Sequence, residues 1–231
     1  MKSRLKERQA FAFKPSTLQI LSSLKSEHQW LDLVTGEFSN YHNLIDEVHR
    51  LACKDRYEKT SIKEISERTG HKPSVVTRFL HKVYERIWEI NEEQPQLFSG
   101  PGIQYELQFI DSYQTQYSYF TMWLEVPLNY GDRFEWHFIR SRQDGYSYYV
   151  DNIKHALNQG KLTTTVTLRA GTFNSYRKML YDKACFFELL SIEEKFHLSE
   201  YEMDRLLIHR VENDRNGYPE SLEYLVKTKF R

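Results

Sequence analysis

The hydrophobic repeat of this chain changes period near residue 100, and that change limits its fold more than any other feature. Through the first ninety residues apolar side chains recur at helical spacing. Leu18, Leu21 and Leu24 follow Pro15-Ser16. Leu44, Ile45, Val48, Leu51 and Ala52 follow Asn40, a candidate N-cap. Val83, Ile87 and Ile90 extend a later helix. Beyond residue 102 the period is two. Ile103, Tyr105, Leu107 and Phe109 alternate with Gln104, Glu106 and Gln108, and Phe134, Trp136 and Phe138 alternate with Arg133, Glu135 and His137. Alternation of this kind puts one set of side chains on one face of a strand. The segment Asn91–Gly102, with two prolines and two glycines, separates the two regimes.

The expected fold class is therefore α+β: an N-terminal all-α domain followed by an antiparallel sheet packed with helices. The expected boundaries are a basic flexible arm over 1–14, a helical domain over 15–94, a linker over 95–102 and an α+β domain over 103–231. Within the last, Pro127–Asp132 reads as a hairpin turn. It would join the second and third strands of an antiparallel meander ended by Asp144-Gly145. Tyr149, Val150, Ile153 and Leu157 read as a helix stopped by Gly160, and Leu162, Thr164, Val166 and Leu168 as a fourth strand. From Phe173 to Val211 the pattern is helical, split near Leu190-Ser191 or His197-Leu198-Ser199. The polar tail after Asn213 can end in a short strand.

Sixteen Tyr and fourteen Phe supply ample area for a core. No apolar run reaches the length of a membrane span, and no apolar stretch follows the basic N-terminus as a signal peptide requires. Two cysteines far apart, Cys53 and Cys185, argue against a disulfide framework. A cytoplasmic protein with no membrane partner is the expectation. Net charge is zero, with 32 basic and 32 acidic residues. Residues 1–91 hold sixteen Lys/Arg against twelve Asp/Glu, so the N-terminal part carries the positive excess.

The segment Ser61–Val83 carries the sharpest functional signal. Ile62 and Ile65 can anchor one short helix, and Ser66 is a small residue where a second helix would cross. Gly70 suits a tight turn, and Val76, Phe79, Leu80 and Val83 can anchor the second helix from inside. Pro73 fits its first turn. Four Lys/Arg and one acid lie between Gly70 and Ile87, so this stretch is locally basic.

Residues 61–87 resemble the helix-turn-helix of bacterial transcription regulators and of sigma-factor region 4. A small residue, a glycine four positions on and an apolar residue six beyond that are matched by Ser66, Gly70 and Val76. Thr77 and Phe79 fill the places that follow. Thr69 and His71, beside the glycine, stand where that pattern is usually apolar. The resemblance covers about a tenth of the chain. It implies sequence-specific binding to double-stranded DNA by the second helix, in a homodimer whose two helices read two half-sites. The outward residues would be Lys72, Ser74, Val75, Thr77, Arg78, His81 and Lys82. Ser74, Arg78 and Val75 are placed to reach base edges, and Lys72, Thr77 and Lys82 to hold phosphates.

A transcriptional regulator is the first reading. A plasmid or mobile-element replication or maintenance protein would use the same helix. A protein-interaction module would keep the two helices for packing alone. The α+β domain is assigned dimerisation, a small-molecule effector or a protein partner.

No catalytic residues, cofactor or metal are expected. His42 and His49, His71 and His81, and His197 and His209 lack the spacing that presents two ligands to one metal. The pairs Glu92-Glu93 and Glu193-Glu194 read as solvated charges. Glu125, Asp132 and Glu135 lack the lysine of a nuclease centre. Arg140 and Arg142 read as a solvated strand end. Tyr105, Tyr117, Tyr119, Trp123, Phe134, Trp136 and Phe138 have few basic neighbours, which favours a core or interface over a base-stacking platform.

Overall fold

The structure, a computed structural model, describes residues 14–54, 60–111, 117–143, 147–187, 189–191, 194, 198 and 200–208. The fold is α+β. Among the described residues four helices come first: α1 (Thr17–Ser26), α2 (His42–Ala52), α3 (Ile62–Thr69) and α4 (Pro73–Glu93). The strands are β1 (Ile103–Ile110), β2 (Tyr117–Leu124), β3 (Arg133–Glu135), β4 (Ser147–Asn158) and β5 (Lys161–Ala170). The described residues end with the helices α5 (Ser175–Phe186) and α6 (Glu200–Leu207). The basic arm, apart from Lys14, and the tail after Ile208 lie outside the described residues.

The chain divides into two compact units, Met1–Phe173 and Asn174–Arg231. In the first, helices and sheet share one core. The residues expected to form a linker instead make a short 3-10 turn, Pro95–Phe98, whose Phe98 is buried in that core. Prolines and glycines here end a helix without ending the packing. Gly102 sits at φ 106°, and a Cβ there would meet the Leu124 carbonyl oxygen at 2.1 Å, so only glycine fits.

The sheet has the order β2-β1-β5-β4-β3 and is mixed: β1 and β5 run parallel, and every other pair is antiparallel. Two local expectations are corrected. The meander does not form, because β3 pairs with β4 rather than β2. Its strand stops at Glu135, and Phe138–Ser141 is a 3-10 turn against α1. Residues 149–157 are strand, not helix. Val150 opposes Leu168 and Asn152 opposes Thr167, so Asp151 is an inserted residue. The insertion shifts the alternation by one and places Val150 and Ile153 three apart, which imitates a helical repeat.

The core is aromatic. Trp30 packs on Phe98, Phe120, Trp136 and Phe138, and Trp88 stacks on Phe138. The Tyr84 hydroxyl donates to the Phe138 carbonyl at 2.8 Å. The Gln143 amide donates to the Phe109 carbonyl and the Ser118 hydroxyl, each at 3.1 Å, while the buried Trp88 Nε1 has no hydrogen-bond partner among the described residues. At the sheet edge, the Asn91 amide of α4 donates to the Thr121 carbonyl at 2.7 Å and accepts from its N–H at 2.8 Å. This contact satisfies an edge strand and ties the far end of α4 to the sheet. The second unit has its own small core of Leu180, Ala184, Leu190, Met203 and Leu207, with an Arg177–Asp204 ion pair at 2.5 Å.

Candidate nucleic-acid interface

The α3–turn–α4 segment is built by local chemistry. Ser61 and Glu64 form a reciprocal capping box: the Ser61 hydroxyl accepts from the Glu64 N–H at 3.2 Å, and the Glu64 carboxylate accepts from the Ser61 N–H at 2.7 Å. Gly70 ends α3 in the left-handed conformation (φ 74°, ψ 6°), and its N–H donates to the Ser66 carbonyl at 3.0 Å. The Ser66 hydroxyl donates to the His71 carbonyl at 2.5 Å, so the small residue also closes the turn.

The two residues that depart from the helix-turn-helix pattern are accommodated. Thr69 is buried, and its hydroxyl donates back to the Ile65 carbonyl at 2.7 Å. The His71 ring lies 5.7 Å from Tyr41, which in turn packs on Phe79.

A buried carboxylate ties α3 to α2. Glu47 of α2 meets Arg50 at 2.5 Å and Arg68 of α3 at 3.2 Å. Its hydrogen bond to Arg50, then the charges of Arg50 and Arg68, hold the Glu47 carboxyl below the ordinary carboxylate range.

Helix α4 starts at Pro73. Lys72 precedes it in extended conformation without a side-chain cap, and its carbonyl accepts from the Val75 and Val76 N–H groups at 2.8 and 3.1 Å. The inner face buries Val76, Phe79, Leu80 and Val83. On the outer face Lys72, Ser74, Arg78 and Lys82 are exposed, and Val75, Thr77 and His81 are half-buried. Ser74, Arg78 and Lys82 stand four apart and form one row along the helix.

Charge pairing separates this row from Arg86 of the same helix, from Lys63 of α3 and from Arg142. Arg86 bonds Glu37 at 2.9 Å and reaches Glu89 and Glu93. Lys63 meets Glu67 at 3.7 Å. Arg142 pairs with Glu85 and lies 5.0 Å over Trp88, so it is engaged rather than a bare strand end. Among the described residues, Lys72, Arg78 and Lys82 have no carboxylate partner.

The rejected sites also have defined places. His49 meets His28 rather than His42, with their Nδ1 atoms 3.2 Å apart. No group of three or more His, Cys, Asp or Glu able to hold a metal occurs among the described residues. His197 and His209 lie outside those residues. Asp132 accepts from the Asn129 N–H at 2.7 Å within a turn. Tyr105, Trp136 and Phe138 are core, while Tyr117 and Tyr119 are exposed. The Trp136 N–H donates to Glu27 at 2.8 Å, and burial raises the Glu27 carboxyl. Glu47, Tyr41 and Asn91 escaped the sequence reading because their partners are distant along the chain. Only the i,i+3 spacing of Glu47 and Arg50 hinted at a pair.

Among the described residues no helix is long and apolar enough to cross a membrane. No family model matches the chain, and no curated protein or solved structure matches it.

Proposed function

We propose that this protein binds double-stranded DNA through the outer face of the first three turns of α4, as a cytoplasmic, homodimeric regulator of transcription. The observation that carries the reading is the row of exposed cations free of carboxylates, on a helix whose opposite side is fully used in packing. Arg78 has the fork geometry for the O6 and N7 atoms of guanine, and Val75 can touch a thymine methyl. Lys72 and Lys82 neutralise phosphates. One such helix reads a half-site, so the proposal includes a two-fold dimer.

The test is binding to random-sequence duplex DNA at two salt concentrations, with wild type, Arg78→Ala and Lys82→Ala. Binding that weakens with salt and with each substitution supports the reading. Absence of binding at low salt, or binding indifferent to salt and both substitutions, contradicts it.

A further inference from the structure

The β4–β5 hairpin has no part in the reading above. Its turn residues Gln159 and Gly160 both have positive φ, 49° and 78°, as in the tight turns that match strand twist. Strand β1 pairs with β5 only from Thr165 onward, and β3 pairs with β4 only through Tyr149. His155–Asn158 and Lys161–Thr164 therefore pair with each other and, among the described residues, with no third strand. This two-stranded ribbon is about 14 Å long at the ordinary rise per residue. A cross-strand contact between His155 and the Thr164 hydroxyl at 3.1 Å stiffens it.

Its composition is one-sided. From Asn152 to Phe173 there are three Lys/Arg and no Asp or Glu, in a protein whose acids equal its bases. Arg169 at the base is held by Asp151 at 2.9 Å. Lys154 is exposed. Near the end, Leu157 and Leu162 are direct cross-strand partners and are 74% and 61% exposed. The two leucines form an exposed apolar pair at the end of the ribbon.

We infer that the β4–β5 ribbon is a second DNA-contacting element, lying in a groove of duplex DNA. The inference rests on the DNA reading of α4. A two-stranded ribbon fits the major groove. Lys154 neutralises a phosphate on the groove wall, and the absence of acids removes repulsion along the ribbon. The Leu157–Leu162 pair packs on thymine methyl groups in that groove. Charge complementarity selects DNA over an apolar protein partner.

The experiment measures duplex affinity against salt for full-length wild type, Lys154→Glu, Leu157→Ser/Leu162→Ser and Arg78→Ala. A photo-crosslinker at the exposed Gln159 adds a direct readout. Circular dichroism checks folding. If the double leucine variant misfolds, Lys154→Glu carries the test, since it changes only an exposed charge.

The expected result is a crosslink from position 159, and a log–log salt slope shallower by about one in Lys154→Glu. Loss of affinity in Arg78→Ala with none in either ribbon variant, and no crosslink from 159, overturns the ribbon and leaves the α4 reading intact. The reverse pattern supports the ribbon and removes α4. No binding by wild type at low salt removes both. Leucine-dependent binding to phosphatidylserine vesicles, with DNA affinity unchanged in the ribbon variants, overturns the proposal in favour of a membrane surface.

Discussion

The two ends of helix α4 differ in charge, burial and partners, although they belong to one rod about 31 Å long at the standard rise. The first three turns bury one side and expose Arg78, Lys82 and, just before the helix, Lys72; the nearest acid on the helix, Glu85, pairs with Arg142. The last three turns bury Tyr84, Ile87, Trp88, Ile90 and Asn91 in the core shared with the sheet. Their exposed side carries Glu85, Glu89, Glu92 and Glu93, and Arg86 is captured by carboxylates there. The difference is that acids and aromatic packing mark the C-terminal end, while exposed cations without a carboxylate partner among the described residues mark the N-terminal end.

The largest effect that can break this comparison lies at the C-terminal end. Phe138→Ala should destabilise the fold by about 3–5 kcal/mol in chemical denaturation, because Phe138 is fully buried against Tyr84, Trp88 and Trp30. At the N-terminal end, Arg78→Ala should leave stability within about 0.5 kcal/mol of wild type. It should cost about 1–3 kcal/mol of DNA affinity, read by anisotropy, and relax preference at one base pair.

Gly70→Ala should destabilise by about 1–2 kcal/mol, measured by thermal unfolding. A Cβ there meets nothing within 4 Å, so the cost is that of the left-handed backbone alone. Lys82→Ala should weaken DNA binding evenly across sequences and lower the salt slope by about one.

The smallest effect concerns pH. The folded Glu47 carboxyl lies below its unfolded value, so its pairing stabilises above the ordinary carboxylate range. That contribution is lost as the pH falls through the folded value. Glu47→Gln should therefore flatten the acid side of the stability profile, measured by urea midpoints across a pH series.

What could be read from the chain follows the range of the forces involved. The α3–turn–α4 segment was legible because Ser66, Gly70 and Pro73 act over five residues or fewer; the Ser61–Glu64 capping box is equally local. The α+β class, the strand character of 103–109 and 162–168, and the long run of α4 to Ile90 followed from period alone. Strand β4 was hidden by the inserted Asp151, which gives a strand the spacing of a helix. The partner of β3 and the parallel β1–β5 pair depend on pairing between distant segments. The shared core behind Phe98 was hidden because prolines and glycines report a break in a helix, not in packing. In the candidate site, the outward positions were legible from the inward ones. The Glu47–Arg68 bridge and the Asn91 anchor were not, since neither has a local pattern.

The most direct test of the difference between the two ends of α4 is site-specific crosslinking to duplex DNA from Ser74 and from Glu92, both exposed and on the same helix. The account predicts a DNA adduct from position 74 and none from position 92. Equal crosslinking from both positions, or from position 92 alone, would contradict it.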